Sequence, residues 1–140
     1  VVVVTQLSES RVPVGVTGAG EWVYLAREGG WLSLTDSAPI FVVTVVQQGA
    51  AFDANLRRRL VAVGLTPSLA ATFPVDSSIR LGLTWPTDFW QQAALDWLEQ
   101  KGGVEAFLPE LAALVHTGGT QRIRHTARRL MRAVRRQARD

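Results

Sequence analysis

The order in which two side-chain periodicities occur along the chain restricts its fold more than any other feature. Residues 1–47 are dominated by β-branched runs separated by turn residues, whereas beyond residue 50 the apolar residues recur mostly at helical spacing. Strands gathered at one end and helices at the other do not interleave as βαβ units, so the expected class is α+β. The expected architecture is an N-terminal antiparallel β-meander of about five strands plus one later strand, packed against C-terminal helices, the last of them basic and amphipathic. A length of 140 residues suits a single domain over 1–140. Within it, 1–48 reads as mainly strands, 49–119 as helices with one strand, and 120–140 as the basic helix.

The strand assignments rest on turn chemistry and alternation. Val1–Leu7 and Arg11–Thr17 flank the polar "SES" and form a first hairpin. In "EWVYLAREGGWLSLTD" a two-residue Gly29-Gly30 turn predicts that Leu25 pairs with Leu34 on the core face, with Tyr24 opposite Thr35 and Ala26 opposite Ser33 on the other. "IFVVTVVQ", after Pro39, lacks alternation and reads as a central strand covered on both faces. "SIRLGLTW" alternates, with Ile79, Leu81, Leu83 and Trp85 on one side, and reads as a half-buried strand.

Helix signals fill the rest. Asp53 is placed to cap a helix whose inner face is Leu56, Leu60 and Val63 and which Gly64 ends; Thr66-Pro67 starts a further helical turn. Thr87 caps a helix with an apolar stripe of Phe89, Trp90, Ala93, Ala94, Trp97 and Leu98, stopped by Gly102-Gly103. Pro109 sets the start of, or a kink in, the segment Val104–Val115, and Thr120 caps the last helix. Trp85, Trp90 and Trp97 fall on inferred core faces, while Trp22 and Trp31 lie on or near a hairpin with partial exposure.

Catalytic signatures are sparse. There is no cysteine, which removes thiolate chemistry and cysteine metal sites and fits a reducing, cytoplasmic location. His116 and His125 stand without partners at metal or triad spacing; the first reads as a helix-end residue, the second as part of a cationic face. Asp88, Gln92, Asp96 and Glu99 line one side of a helix, a spacing open to a divalent cation but equally that of a solvated face. "GVTGAGE" reads as a turn. "TGGT" reads as a helix stop followed by a cap, or as a small anion nest. No cofactor is expected, and no run is long enough to span a membrane.

Charge is where the sequence points to a partner. Residues 1–119 carry seven basic side chains against eleven acidic ones, a net of −4, whereas 120–140 carry eight arginines against Asp140, a net of +7. On a helical wheel Ile123, Ala127, Leu130, Met131, Val134 and Ala138 gather in about a third of the circle, and the arginines fill an opposite arc of about 160°. The apolar stripe docks on the body or on a copy of the chain. The arc predicts a surface for nucleic acid or another polyanion, centred on Arg128, Arg132, Arg135 and Arg139 and flanked by Arg124, Arg129 and Arg136. Arg57, Arg58 and Arg59 extend it if the two helices lie side by side.

In the alternative, these arginines pair with the surplus carboxylates of the body, and the helix is a docking element for a protein partner or a homo-oligomer. A stripe without tryptophan or phenylalanine inserts poorly into a membrane surface. The expected role is therefore a noncatalytic binding or assembly domain; a small enzyme with carboxylates assembled by folding is the remaining alternative.

Overall fold

The computed structural model describes residues 1–7, 11–35 and 45–139. The class is α+β, with an N-terminal antiparallel sheet followed by helices. Four strands, β1 (Val2–Leu7), β2 (Val12–Val16), β3 (Trp22–Leu25) and β4 (Trp31–Ser33), pair in sequence order as a meander. The sheet therefore has four described strands rather than about five. A bulge interrupts β1 between Val3 and Thr5, opposite Gly15. A side chain on Gly15 would overlap the Val2 carbonyl oxygen, so the bulged backbone rests directly on this glycine.

The second hairpin is out of the predicted register. Gly29 donates its N–H to the Ala26 carbonyl (2.9 Å) and takes φ +98°, and Ala26 N–H reaches the Gly30 carbonyl (2.7 Å). This is a three-residue loop, a turn over Arg27-Glu28 followed by one left-handed glycine, instead of two left-handed glycines in succession. Val23 then faces Ser33, Tyr24 faces Leu32 and Leu25 faces Trp31. Leu34 still reaches the core, donating to the Trp22 carbonyl at 3.0 Å, while Leu25 is only half-buried.

Two predicted strands are corrected. Residues 40–44 of the supposed central strand lie outside the described residues, and its remainder is the short helix α1 (Val45–Gln48). Val45 and Val46 are buried there against the later helices, so packing overrides β propensity. "SIRLGLTW" falls mostly within helix α3 (Val75–Thr84). Ile79 and Leu83 are four apart, a spacing that alternation and helical periodicity share, and the buried positions Ser78, Ile79, Gly82 and Leu83 fit only the helix. Gly82 is needed at the crossing with the next helix, because a side chain there would press on Ala94 Cβ at 2.8 Å. Trp85 is extended ahead of Pro86, which ends α3.

The other helices begin and end close to their sequence signals. Helix α2 (Ala51–Ala62) buries Phe52, Leu56 and Leu60, while Val63 is exposed. Asp53 is in its first turn rather than at its cap and pairs with Arg57 at 2.8 Å. Gly64 N–H bonds Val61 O (3.0 Å) and Leu65 N–H bonds Leu60 O (2.9 Å), closing the carboxyl end with a left-handed glycine. A 3-10 helix, Pro67–Thr72, follows.

Helix α4 (Asp88–Lys101) starts after Thr87, which makes no side-chain cap bond. It buries Gln91, Ala94, Leu95, Trp97 and Leu98; Phe89, predicted inside, is 57% exposed. After a 3-10 turn at Val104–Phe107, helix α5 (Leu108–Thr117) has Pro109 in its first turn, and helix α6 spans Gln121–Arg139.

One apolar core runs from Val4 in the sheet to Leu130 in α6. Trp22, expected to be partly exposed, is 2% exposed and joins the two layers. Its Nε1 donates to Leu69 O and to Thr72 Oγ1, both at 3.1 Å. Its ring meets Phe73 edge-on at 5.2 Å, Phe73 meets Phe52 at 4.9 Å, and Phe52 meets Trp97 at 6.2 Å. Trp22→Ala is expected to cost about 3–5 kcal/mol in chemical denaturation. Trp22→Phe, which keeps a ring but removes the donor, is expected to cost about 1–3 kcal/mol. A negligible loss for Trp22→Phe would mean that the indole N–H contributes nothing.

Candidate polyanion-binding helix

Thr120 starts α6 as its sequence predicts: Oγ1 accepts the Ile123 N–H at 3.1 Å. The preceding glycines are there for close approach. A side chain on Gly118 would crowd Leu114 O and Ile123, and one on Gly119 would overlap the Asp88 carboxylate. Gly119 thus faces a carboxylate of the chain itself, set beside the positive end of the helix.

The acidic positions of α4 are likewise drawn into internal contacts: Asp96 accepts from Gln92 Nε2 at 2.8 Å, and Glu99 pairs with Arg129 at 2.6 Å. Among the described residues no three His, Asp or Glu side chains converge as a metal site. His116 is exposed in the last turn of α5. No described helix is long and apolar enough to cross a membrane.

Docking of α6 is confined to its first half. Ile123, Thr126, Ala127 and Leu130 are buried against α5, α4 and the 3-10 turn at Val104–Phe107. Beyond Leu130 the same stripe is progressively uncovered: Met131 and Val134 are half-buried and Ala138 is exposed. The last nine residues, about 13 Å of helix at 1.5 Å per residue, contain no buried side chain.

The arginines fall into two groups. Arg124 turns inward, its Nη1 donating to Gly118 O at 2.8 Å, and so clamps the end of α5. Arg129 carries the ion pair to Glu99, with side-chain exposures of 64% and 44%. A pair so open to water contributes about 0–1 kcal/mol. Arg128, Arg132, Arg135, Arg136 and Arg139 are exposed and make no ion pair or hydrogen bond with a described residue.

Other carboxylates of the body are held by cations of the body: Asp53 by Arg57, Glu110 by Arg80 at 2.7 Å, and Asp76 by Lys101 at 3.0 Å. Five predicted residues, Arg128, Arg132, Arg135, Arg136 and Arg139, are thus brought together on the solvent side, while Arg124 and Arg129 serve the body.

Arg122, which the sequence sets with Arg124 close behind the "TGGT" glycines, lines a shallow pocket with Gln121, His125, Thr126 and Arg129 on the first turns of α6. Its signal was electrostatic. The first turn of α6 contains no acidic residue, although the helix dipole favours one there. Arg57, Arg58 and Arg59 do not extend this surface, since α2 packs on β1, α1 and the Pro67–Thr72 turn rather than beside α6.

Compared with protein-family models, with characterised proteins and with solved structures, the chain finds no match in any of the three.

Ile123→Ala removes a side chain that is 1% exposed and is expected to lower stability by about 2–4 kcal/mol. Ending the chain after Arg132 removes, among the described residues, only exposed or half-buried ones and is expected to cost about 1 kcal/mol or less. Thermal and urea unfolding of the two variants measures the difference; a large loss on truncation would show that the distal turns are part of the packed structure.

Proposed function

We propose that α6 is a binding helix for the phosphodiester backbone of a nucleic acid. The observation that carries this reading is the row of exposed arginines on α6 that the carboxylates of the body leave unpaired among the described residues. Guanidinium groups stay charged and match phosphate oxygens with parallel donors. Arg128, Arg132, Arg135 and Arg139 follow i, i+4, i+7 and i+11 spacing on one face, a ridge of about 17 Å at 1.5 Å per residue. The major groove is about 12 Å wide, so the ridge is long enough to reach phosphates on both flanks. No base-reading set accompanies these arginines, and the binding is sequence-tolerant.

A second reading rests on the uncovered part of the stripe, Met131, Val134 and Ala138: the distal turns dock on a protein partner or on a copy of the chain. Arginines and stripe lie on opposite faces of the helix, so the two readings separate by mutation.

Fluorescence anisotropy of labelled DNA and RNA, single- and double-stranded, across a salt series tests the first reading. With four contacts on duplex DNA, log K is expected to fall with log salt at a slope of about −3.6. Replacing Arg128, Arg132, Arg135 and Arg139 by alanine is expected to flatten that slope and abolish binding. No binding at low salt overturns the reading. Light scattering of intact protein and of Met131→Glu/Val134→Glu tests the second, which predicts an assembly that the variant dissociates.

A further inference from the structure

The first strand of the sheet turns its outer edge toward a groove whose other wall is α2. Beside Val3–Gln6 no described strand lies beyond β1, and the groove, about 970 Å³ in volume, follows the strand from Val3 to Leu7. Its floor is apolar: Val4, Phe52 and Leu56 are buried, and Val3 is 46% exposed above them. Among the described residues its charged lining is of one sign. Arg58 and Arg59 project from α2, Arg11 stands at the start of β2, and no carboxylate is among the described lining residues. Arg58 bonds the neutral Asn55 side chain, and Arg11 and Arg59 form no ion pair with a described residue.

Several physical facts narrow what fits here. A strand edge of uncharged, largely β-branched residues exposes backbone donors and acceptors and templates the addition of another strand, here with one irregular step at the bulge between Val3 and Thr5. At about 3.4 Å per residue, Val3–Gln6 offers an edge of about 14 Å, enough for four residues of an extended chain. A single-stranded nucleic acid needs exposed aromatic faces for its bases, whereas the aromatic ring of this groove, Phe52, is 3% exposed. The cationic rim selects for carboxylates in whatever strand is added.

We infer that this groove binds an extended acidic peptide by strand addition to β1. The peptide backbone pairs along Val3–Gln6, apolar side chains lie on the floor beside Val3, and carboxylates meet Arg11, Arg58 and Arg59. The site shares no element with α6 and does not depend on the nucleic-acid reading.

The test uses the full chain and a fluorescein-labelled octapeptide of alternating valine and glutamate, with two controls: the valine–lysine counterpart, and the same valine–glutamate sequence N-methylated at every residue, so that neither edge can donate. Saturable anisotropy below about 1 mM is expected for the glutamate peptide alone. Arg58→Glu/Arg59→Glu, at two exposed positions, is expected to weaken binding at least about tenfold, with circular dichroism confirming an intact fold. The α6 variant with four alanines is expected to bind as the parent does. Equal binding of the lysine peptide, or loss in the α6 variant with retention in the α2 variant, overturns the acidic-peptide site. Undiminished binding of the N-methylated peptide overturns strand addition.

Discussion

The tie between Trp22 and the helical layer is the interaction on which the architecture depends. A four-stranded antiparallel meander of short strands has one face to bury and too little area to do so alone. Trp22 supplies both parts of the answer, a large apolar ring and a donor that must find an acceptor when buried. Leu69 and Thr72 provide that acceptor from the 3-10 turn, and the Phe73–Phe52–Trp97 series carries the contact through α2 to α4. The orientation of sheet on helices is thus set by directional bonds at one end and by aromatic edges beyond it. The aliphatic core that runs on to Leu130 fills the space so defined.

Elements whose signals are local chemistry were legible in the sequence; those that depend on distant partners were not. Pro67, Gly64, Pro109 and Thr120 each act on their own backbone, and the structure places a helix boundary beside every one. The register of the second hairpin depended on how many left-handed residues its loop uses, and an adjacent glycine pair permits one or two. Alternation misled at 78–85 because a ten-residue helix with leucines, an isoleucine and a glycine at its crossing can mimic a strand over a short window. What decides for the helix is Ala94 lying against Gly82, a contact invisible without the fold. Trp22 was misplaced for the same reason, since its acceptors lie 47 and 50 residues away.

For the candidate site, wheel geometry was sufficient to separate stripe from arc, and the structure buries Ile123, Ala127 and Leu130 accordingly. It could not tell which arginines the body would use. Arg124 bonds a backbone carbonyl six residues behind it, and Arg129 meets a carboxylate thirty residues away. Nor could it say where docking would stop. The stripe continues to Ala138 in sequence but burial ends at Leu130, because the elements beneath α6 do not cover its last turns.

Segregation of charge then follows from how the body satisfies itself. Asp53, Asp76 and Glu110 are neutralised by Arg57, Lys101 and Arg80, cations within residues 1–119. Arg80 does more than pair: Nη2 donates to Ala106 O at 3.1 Å and the guanidinium lies 4.9 Å from the Phe107 ring centroid, so it also packs α3 onto the α5 side. Held this way, the pair on Glu110 is less free to exchange partners than an open surface pair, and such exchange is what a tail of arginines would need in order to be absorbed by the body. Most of the cations left over lie on two surfaces of different character. One is a convex helix end without a floor, where only charge and reach can act. The other is a groove with an apolar floor and an open strand edge. A flexible polyanion with charge on every unit suits the first, and an extended chain carrying both apolar and acidic side chains suits the second.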